Sequence, residues 1–270
     1  MGRSFGRVAI VNRGEAAMRL IHAVREFNHE WSTDVRAIAL HTTAERRAMF
    51  VREADEAVCL DDLQTAGRGE VSPYLDHQVL ERALILAKAD AVWPGWGFVA
   101  EQEAFVALCD RIDVAFIGPS AGVMRRLGDK ISAKRLAEEA GVPVAPWSGG
   151  PVTSVGEARR HAAAIGYPLV IKATSGGGGR GIRRVMGDAD LPAAFESARA
   201  EARKAFGDPT VFMERQIADA RHVEVQVIGD EHGTVWAVGV RDCTIQRRNQ
   251  KVIEESRSTV LDEIQERQLC

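Results

Sequence analysis

The strongest chemical signal in the chain is a run of four glycines that follows a lysine-bearing strand. Residues 170–181 read VIKATSGGGGRG, so that the apolar strand holding Lys172 leads into the run. The run consists of Gly176, Gly177, Gly178 and Gly179. Glycines lose much conformational freedom on folding and are favoured where backbone N–H groups approach a ligand closely. Loop amides beside an ammonium group are suited to a polyphosphate, which predicts a nucleotide clamp.

A flexible glycine linker is the alternative interpretation of this run. Linkers have polar residues on both sides, whereas apolar residues dominate positions 169–171 before the run and positions 182 and 185 after it. Such flanks are typical of two strands joined by a loop. They favour the clamp over the linker.

A second group of donors follows an apolar strand further along the chain. Five side chains that can donate hydrogen bonds fall within six positions: Gln246, Arg247, Arg248, Gln250 and Lys251. This density suits phosphate or a small oxyanion, with a solvated basic turn as the alternative. Upstream, the alternation of HVEVQVIG (222–229) places His222, Glu224 and Gln226 on one face of a strand. That polar face is either the wall of a site or an exposed surface.

Composition excludes several classes of protein. The 270 residues are 46% hydrophobic and 27% charged, which is typical of one large or two ordinary globular domains. The net charge of −3 comes without a basic block, which argues against nucleic acid or an anionic membrane as partner. No apolar run approaches a membrane span and the start has no signal-peptide pattern, so we expect a cytoplasmic protein.

Other familiar sites are absent from the sequence. It contains neither GxGxxG nor GxxxxGK[ST], which argues against a Rossmann dinucleotide site and a P-loop. The four cysteines, Cys59, Cys109, Cys243 and Cys270, are scattered without a CxxC pair. We expect reduced thiols and no zinc site.

The elements that position these groups are predicted from hydrophobic periodicity. Apolar strands alternate with amphipathic helices up to Pro119, including a helix over about 74–88, which predicts an open, mostly parallel α/β sheet with flanking helices. A helical segment follows over 120–141, then a small α+β lid with the glycine loop, and an antiparallel hairpin that begins at His222. The last twelve residues, 259–270, read as an amphipathic helix.

Seven motifs in this order closely resemble those of biotin carboxylase, an ATP-grasp enzyme. They are IVNRGE (10–15), WPGWGFVAE (93–101), FIGPS (116–120), LGDK (127–130), IKATSGGGGRG (171–181), RHVEVQV (221–227) and RDCTIQRRNQKVIEE (241–255). The resemblance spans nearly the whole chain, and its last motif is highly specific to biotin-dependent carboxylases. It implies a pre-ATP-grasp N-terminal domain and an incomplete ATP-grasp region with a glycine-rich lid. The implied domains are an α/β domain (1–119), a helical connector (120–143), a lid subdomain (144–216) and the start of the C-terminal subdomain (217–270).

The resemblance also implies roles for matching residues. Lys130 and Lys172 would contact ATP phosphates, and Gly178 and Gly179 would lie in the loop that closes over them. Glu214 to Ile217 would form the adenine-binding hinge, and the residues near the nucleotide would be His222, Gln246 and Asn249. The implied catalytic residues are Arg248, Gln250 and Lys251, of which Lys251 would hold bicarbonate. The family reaction is ATP-dependent carboxylation of biotin, in which bicarbonate attacks the γ-phosphate and carbon dioxide passes from carboxyphosphate to biotin.

Three features depart from the family pattern. Asn249 stands where the family usually has histidine, and it keeps hydrogen bonding but cannot become cationic. Ser175 replaces a fifth glycine found in many relatives. Trp93 and Trp96 replace the commoner histidine and tyrosine and are similar to the tryptophans of large single-chain bacterial acyl-CoA carboxylases. We therefore expect an acyl-CoA carboxylase component with biotin carboxyl carrier and carboxyltransferase domains as partners, leaving a homo-oligomer open.

The family's remaining catalytic residues follow the point where this sequence stops. They are the glutamates that bind Mg²⁺, the base for bicarbonate and the arginine that stabilises enolised biotin. The resemblance thus implies Mg²⁺ ligands beyond Cys270, no metal site within the chain and no biotin carboxylation by these residues alone. A non-catalytic nucleotide-binding module and another ATP-grasp ligase are the alternatives, and the QRRNQK segment (246–251) argues against the second.

Overall fold

Near-continuous apolar runs in the first half of the chain form a parallel sheet that is buried on both faces. The computed structural model describes residues 5–65, 71–174, 181–247 and 250–270. Contacts divide the chain into two units, Met1–Leu127 and Gly128–Cys270. Unit 1 contains β1 (Arg7–Ile10), α1 (Gly14–Trp31), β2 (Arg36–His41), α2 (Met49–Glu53), β3 (Glu56–Cys59), α3 (His77–Leu86), β4 (Ala91–Trp93), α4 (Glu103–Arg111), β5 (Ala115–Phe116) and most of α5 (Ala121–Gly128).

The five strands of unit 1 are all parallel and lie in the order β3-β2-β1-β4-β5. Side chains alternate between the two faces of the sheet along the central strand β1 and the residue after it. Ala9 and Val11 therefore lie in one core and Ile10 lies in the other. Residues of α3 and α4 complete the first core, and residues of α1 and α2 complete the second. The predicted α/β class with an open parallel sheet is confirmed.

Unit 2 begins with α6 and contains two three-stranded sheets. Its elements are α6 (Lys130–Glu139), α7 (Val155–Ile165), β6 (Leu169–Ala173), β7 (Ile182–Val185), α8 (Leu191–Phe206), β8 (Val211–Arg215), β9 (Val223–Gly229), β10 (Val235–Asp242), β11 (Gln246–Arg247), β12 (Gln250–Lys251), β13 (Glu255–Ser256) and α9 (Glu263–Leu269). The first sheet is antiparallel with the order β7-β6-β8, and the second has the order β13-β10-β9. Strands β11 and β12 form a separate antiparallel pair.

One face of the β7-β6-β8 sheet is covered by α7 and α8. Leu169 and Ile171 from the central strand, Met213 from β8 and Phe195 from α8 belong to one buried cluster. Because side chains alternate along a strand, Val170 and Lys172 project from the opposite face. The sheet therefore has one face for the core and one that carries charge.

Three predicted helices differ from the observed ones, and in each case an aspartate caps the start of the observed helix. The predicted helices over about 74–88, 120–141 and 259–270 are wrong at these points, since α3, α6 and α9 start after Asp76, Asp129 and Asp262. Each carboxylate accepts hydrogen bonds from backbone N–H groups of the following first turn. This capping starts a new helix, so that α5 and α6 are separate elements and Lys130 lies at a helix start.

Two other properties of the fold bear on function. Within the described residues, none of the helices is both long and apolar enough to cross a membrane. The four cysteines are free; Cys109 and Cys243 are buried, Cys59 is half-buried and Cys270 is exposed. Burial raises the pKa of the Cys109 thiol to about 12, which keeps it protonated.

Candidate functional site

The charged face of the β7-β6-β8 sheet brings together two of the predicted nucleotide contacts, Lys172 and Glu214. Lys172 pairs in register with Phe212, and Glu214 lies two residues further along β8. Diagonal neighbours on one face of a sheet are within reach of long side chains. The Lys172 ammonium forms an ion pair with Glu214 Oε1.

The second oxygen of Glu214 is bound by a lysine of α6. Lys134 Nζ lies 2.9 Å from Glu214 Oε2. The Glu214 side chain is only 12% exposed, that of Lys134 19% and that of Lys172 31%. Burial would raise the pKa of the Glu214 carboxyl, but the hydrogen bonds from Lys172 and Lys134 outweigh it and hold the pKa below its ordinary value. Glu214 is therefore an anion with one ammonium on each oxygen.

Lys130 approaches the same strand from the start of α6. Its Nζ donates to the Ala173 carbonyl, the residue after Lys172, over 3.1 Å. Burial and the nearby Lys172 charge lower the pKa of Lys130. Lys130, Lys134 and Lys172 thus carry three positive charges against the carboxylates of Glu214 and Asp129, of which Asp129 also acts on Lys130, and this excess suits a polyphosphate. We call Lys130, Lys134, Lys172 and Glu214 the lysine face.

The β9–β10 hairpin carries a second polar cluster, centred on Glu224. Gln246 donates from Nε2 to His222 Nδ1 over 3.0 Å and to the Cys243 carbonyl over 2.9 Å. His222 Nε2 in turn lies 2.9 Å from Glu224 Oε1, which fits the tautomer with the proton on Nε2. The predicted pair His222 and Gln246 is therefore in direct contact, and the polar face of HVEVQVIG carries this cluster.

Glu224 also holds two cations. Lys251 binds Glu224 Oε1, and Arg241 bridges Glu224 Oε2 and Glu254 Oε2. The hydrogen bond from Lys251 is the main cause that lowers the pKa of Glu224 to about 2, and the same bond raises the pKa of Lys251. Both groups stay charged near neutral pH. We call His222, Glu224, Arg241, Gln246 and Lys251 the Glu224 cluster.

The Glu224 cluster is expected to make stability fall in acid. The Glu224 pKa is depressed from 4.5 to about 2, so its contribution is complete above about pH 4.5 and is lost as pH falls towards 2. Glu224→Gln, which cannot titrate, is expected to show a shallower fall in unfolding free energy over this window. Urea unfolding at about pH 6, 4.5 and 3 measures the slopes. The matched control is Glu231→Gln, at an exposed turn carboxylate; coincident curves for wild type and Glu224→Gln would contradict this account.

The other predicted site residues divide into three groups. Gln250 lies in β12 opposite Arg247, next to Lys251, and its side chain is exposed. Ile217 is exposed beyond the end of β8. The predictions for Gly176, Gly177, Gly178, Gly179, Arg248 and Asn249 fall outside the described residues. In the part of the chain that the structure describes, His, Cys, Asp and Glu side chains form no group of three or more that could hold a metal ion.

Sequence reasoning missed Lys134, Arg241 and Trp147. Lys134 follows Lys130 by four residues, and this helical spacing places both on one face of α6. Trp147 contacts this face: its ring lies 5.6 Å from Lys134 Nζ and packs edge-on against Phe212. The spacing could have revealed Lys134, but Trp147 depends on a β-bridge with Glu214 that no local pattern signals.

In unit 1, residues of two sequence motifs meet at the carboxyl edge of the parallel sheet. Asn12, after β1, donates from Nδ2 to the carbonyls of Pro94 and Trp96 over 2.7 and 2.8 Å. Gly95 lies between them at φ +62°, where a Cβ would come within 2.7 Å of the Trp93 ring. Only glycine fits this close approach. The order of strands reverses between β1 and β4, which is the place where open α/β sheets bind ligands.

The parallel-sheet unit and the unit that carries the lysine face each match a known family model, and together the two models place the chain in the ATP-grasp class. Residues 4–124 match the biotin carboxylase N-terminal domain, and residues 129–270 match the ATP-binding domain of the carbamoyl-phosphate synthase L chain. With these two domains in this order, the chain belongs to the biotin carboxylase family.

Individual relatives are similar over nearly the whole chain. The biotin carboxylase of Nostoc sp. is 41% identical over 258 residues, which are 96% of this chain and 55% of the relative. The solved biotin carboxylase–beta-gamma-ATP complex from Campylobacter jejuni is 41% identical, with a TM-score of 0.87 over 98% of this chain and 57% of that one. The biotin carboxylase domain of the Hydrogenobacter thermophilus 2-oxoglutarate carboxylase, with MgADP, ADP and bicarbonate, is 38% identical, with a TM-score of 0.86 over 99% and 56%. The chain spans about half the length of these relatives.

Proposed function

We propose that this chain binds ATP and serves the biotin carboxylase half-reaction, the ATP-dependent carboxylation of carrier-bound biotin by bicarbonate. The observation that carries the proposal is the lysine face, where two ammonium groups bind the largely enclosed Glu214 carboxylate and a third binds the Ala173 carbonyl on the neighbouring strand. A net positive, partly desolvated surface stabilises the negative charge of a triphosphate more strongly than the same charges in water. The relatives support this assignment, because solved members contain an ATP analogue or MgADP.

In this proposal, Lys172 and Lys130 contact phosphate oxygens. Lys130 is already oriented by its bond to the Ala173 carbonyl, and Lys172 by its ion pair with Glu214. Cations held in place before the ligand arrives need little reorganisation when charge moves onto the transferring phosphoryl group. The glycine run Gly176–Gly179 is proposed to supply backbone N–H groups to the same phosphates.

The Glu224 cluster is proposed to serve bicarbonate and the ribose side of the nucleotide. Lys251 stays cationic because Glu224 raises its pKa, and it can therefore donate hydrogen bonds to bicarbonate. Glu224 orients the Lys251 ammonium, while His222 and Gln246 offer a polar surface for nucleotide hydroxyls. The relative that contains bicarbonate is consistent with an oxyanion substrate in this family.

Magnesium would supply charge neutralisation of the phosphates in such a reaction. The carboxylates of the lysine face and the Glu224 cluster do not fit such an ion. Glu214 and Glu224 are each paired with two cations, and Glu254 is bound to Arg241. The roles proposed above therefore belong to the lysines and their carboxylate partners alone.

For the final acceptor, we propose an acyl-CoA delivered through carrier and carboxyltransferase domains. The support is the pair Trp93 and Trp96, which lie edge to face with ring centroids 6.4 Å apart and are similar to the tryptophans of single-chain acyl-CoA carboxylases. Relatives named for other acceptors, such as the pyruvate carboxylase of Caenorhabditis elegans, give the assay its comparison substrate. Carboxylation of pyruvate but not of acyl-CoA would contradict this part of the proposal.

Nucleotide titration tests the proposed function directly. Isothermal titration of the 270-residue chain with ATP is expected to show saturable binding that ADP competes, with GTP as the control base. The chain matches about half of each relative. Biotin-dependent ADP formation is therefore expected when these 270 residues are part of a longer polypeptide that also contains the segment matching the other half. Absence of ATP binding would refute the proposal, and ATP turnover driven by an acid other than bicarbonate would assign another ligase reaction.

A further inference from the structure

Lys134 is more enclosed than Lys172, and its surroundings fix its position. Its ammonium lies 2.9 Å from Glu214 Oε2 and 5.6 Å from the centre of the Trp147 ring. Trp147 is itself held, because its Nε1 donates to Glu138 Oε1 over 2.7 Å and its ring packs edge-on against Phe212. An ammonium fixed between a carboxylate and an aromatic face has a defined geometry before any ligand binds.

The two oxygens of Glu214 are divided between two lysines. Oε1 binds Lys172 and Oε2 binds Lys134. Because the Glu214 side chain is almost fully enclosed, water cannot replace a lost partner without cost. Removal of Lys134 would leave one oxygen without its cation, and the carboxylate would attract Lys172 more strongly and repel an incoming phosphate.

We propose that Lys134 is a positioning residue of the nucleotide site that acts through Glu214, neutralising this carboxylate so that Lys172 remains available to phosphate. The inference rests on the proposed function in one respect, namely that the ligand of Lys172 is a nucleoside polyphosphate. Lys134 contacts the carboxylate and Lys172 contacts the ligand, so the effect of Lys134 on affinity must pass through Glu214.

A double-mutant cycle separates this role from direct contact between Lys134 and phosphate. ADP affinity is measured by isothermal titration for wild type, Lys134→Met, Glu214→Gln and the double variant. In the wild-type background, Lys134→Met is expected to weaken ADP binding about tenfold. In the Glu214→Gln background, the same substitution is expected to weaken ADP binding less than about twofold. A similar loss in both backgrounds overturns the proposal, because Lys134 would then act on the ligand without Glu214.

Two control variants accompany the cycle. Lys134→Arg keeps the positive charge on Glu214 Oε2 and is expected to restore ADP affinity to within about threefold of wild type. Lys204→Met makes the same chemical change at an exposed position of α8 and is expected to leave affinity unchanged. Failure of arginine to restore binding would show that packing against Trp147, and not charge, accounts for Lys134.

A measurement without nucleotide tests the link even if the proposed function fails. The carboxyl ¹³C shift of Glu214 is followed against pH in wild type and in Lys134→Met. Since Lys134 helps hold the pKa of Glu214 below its ordinary value, this pKa is expected to rise in the variant. An unchanged pKa overturns the link between Lys134 and Glu214, whereas a raised pKa in a chain that binds no nucleotide refutes the proposed function alone.

Discussion

Replacement of Lys172 by methionine is expected to weaken ATP and ADP binding about 100-fold. Methionine keeps the length and apolar stem of lysine but removes the ammonium group. A hydrogen bond between charged groups contributes about 1.5–3 kcal/mol when partly desolvated, which corresponds to roughly 10- to 150-fold in affinity. The upper part of this range applies because Glu214 would lose one of its two cations and turn a less compensated negative charge towards the phosphates.

The same variant is expected to fold normally. Lys172 projects from the face of β6 opposite Leu169 and Ile171, so its loss leaves the buried cluster intact. We expect a fall in unfolding free energy of about 1–3 kcal/mol, because the partly enclosed Glu214 carboxylate loses one of its two cations. Isothermal titration gives the affinity, urea unfolding gives the stability, and Lys204→Met serves as the control. ADP affinity within about threefold of wild type in Lys172→Met would exclude Lys172 as a phosphate contact.

Sequence patterns were sufficient to predict the parallel sheet of unit 1 and the polar face of the HVEVQVIG strand. In unit 1, apolar residues fill both faces of β1 and β2, and this is the pattern of a parallel strand covered by helices on each side. Alternation in HVEVQVIG correctly placed His222 and Glu224 on one face, where they are hydrogen-bonded. Both signals are local, since each depends on neighbours within one element.

The partners of Lys172 and Lys251 could not be derived in this way. Glu214 lies 42 residues after Lys172 in the chain, and the two meet because β6 and β8 pair in one particular register. Glu224 likewise reaches Lys251 across 27 positions. Registers are fixed by the fit of whole strands in the core, so a sequence motif can name a lysine without naming its carboxylate.

The residues at which helices begin were the second feature that sequence patterns did not predict. Hydrophobic periodicity continues through Asp129, yet its side chain caps α6 and ends the run from α5. The consequence is functional, because the cap places Lys130 in the first turn of a new helix and one turn before Lys134. A polar cap among periodic residues therefore decides where two cations of the lysine face lie.

The largest loss of stability is expected from Phe195→Ala in α8. Phe195 is fully buried in the cluster that includes Leu169 and Ile171, beneath the strand that carries Lys172. Truncation of a buried phenylalanine to alanine typically costs about 3–5 kcal/mol, through lost burial and the cavity that remains. The loss of the contact between the Arg199 guanidinium and the Phe195 ring, 5.5 Å apart, adds to this cost. Urea unfolding of the variant measures the fall in unfolding free energy.

Two comparisons establish that burial causes the effect. Phe195→Leu fills most of the cavity and is expected to cost about half as much or less. Phe27→Ala, at a ring that is 48% exposed on α1, is expected to cost less than about 1 kcal/mol. Equal losses for the buried and the exposed phenylalanine would contradict the core described for unit 2.

The stabilisation by bound ADP distinguishes the charged face of the β7-β6-β8 sheet from its core face. Saturating ADP stabilises a protein in proportion to the logarithm of ligand concentration over Kd. Phe195→Ala is expected to start from a lower melting temperature but to keep most of the upward shift with ADP, because Lys172, Lys134 and Glu214 are intact. Lys172→Met is expected to start closer to the wild-type temperature than Phe195→Ala and to lose most of that shift. If both variants lost the shift equally under conditions where they are folded, the core face and the charged face would not act separately, and the assignment of nucleotide binding to the lysine face would fail.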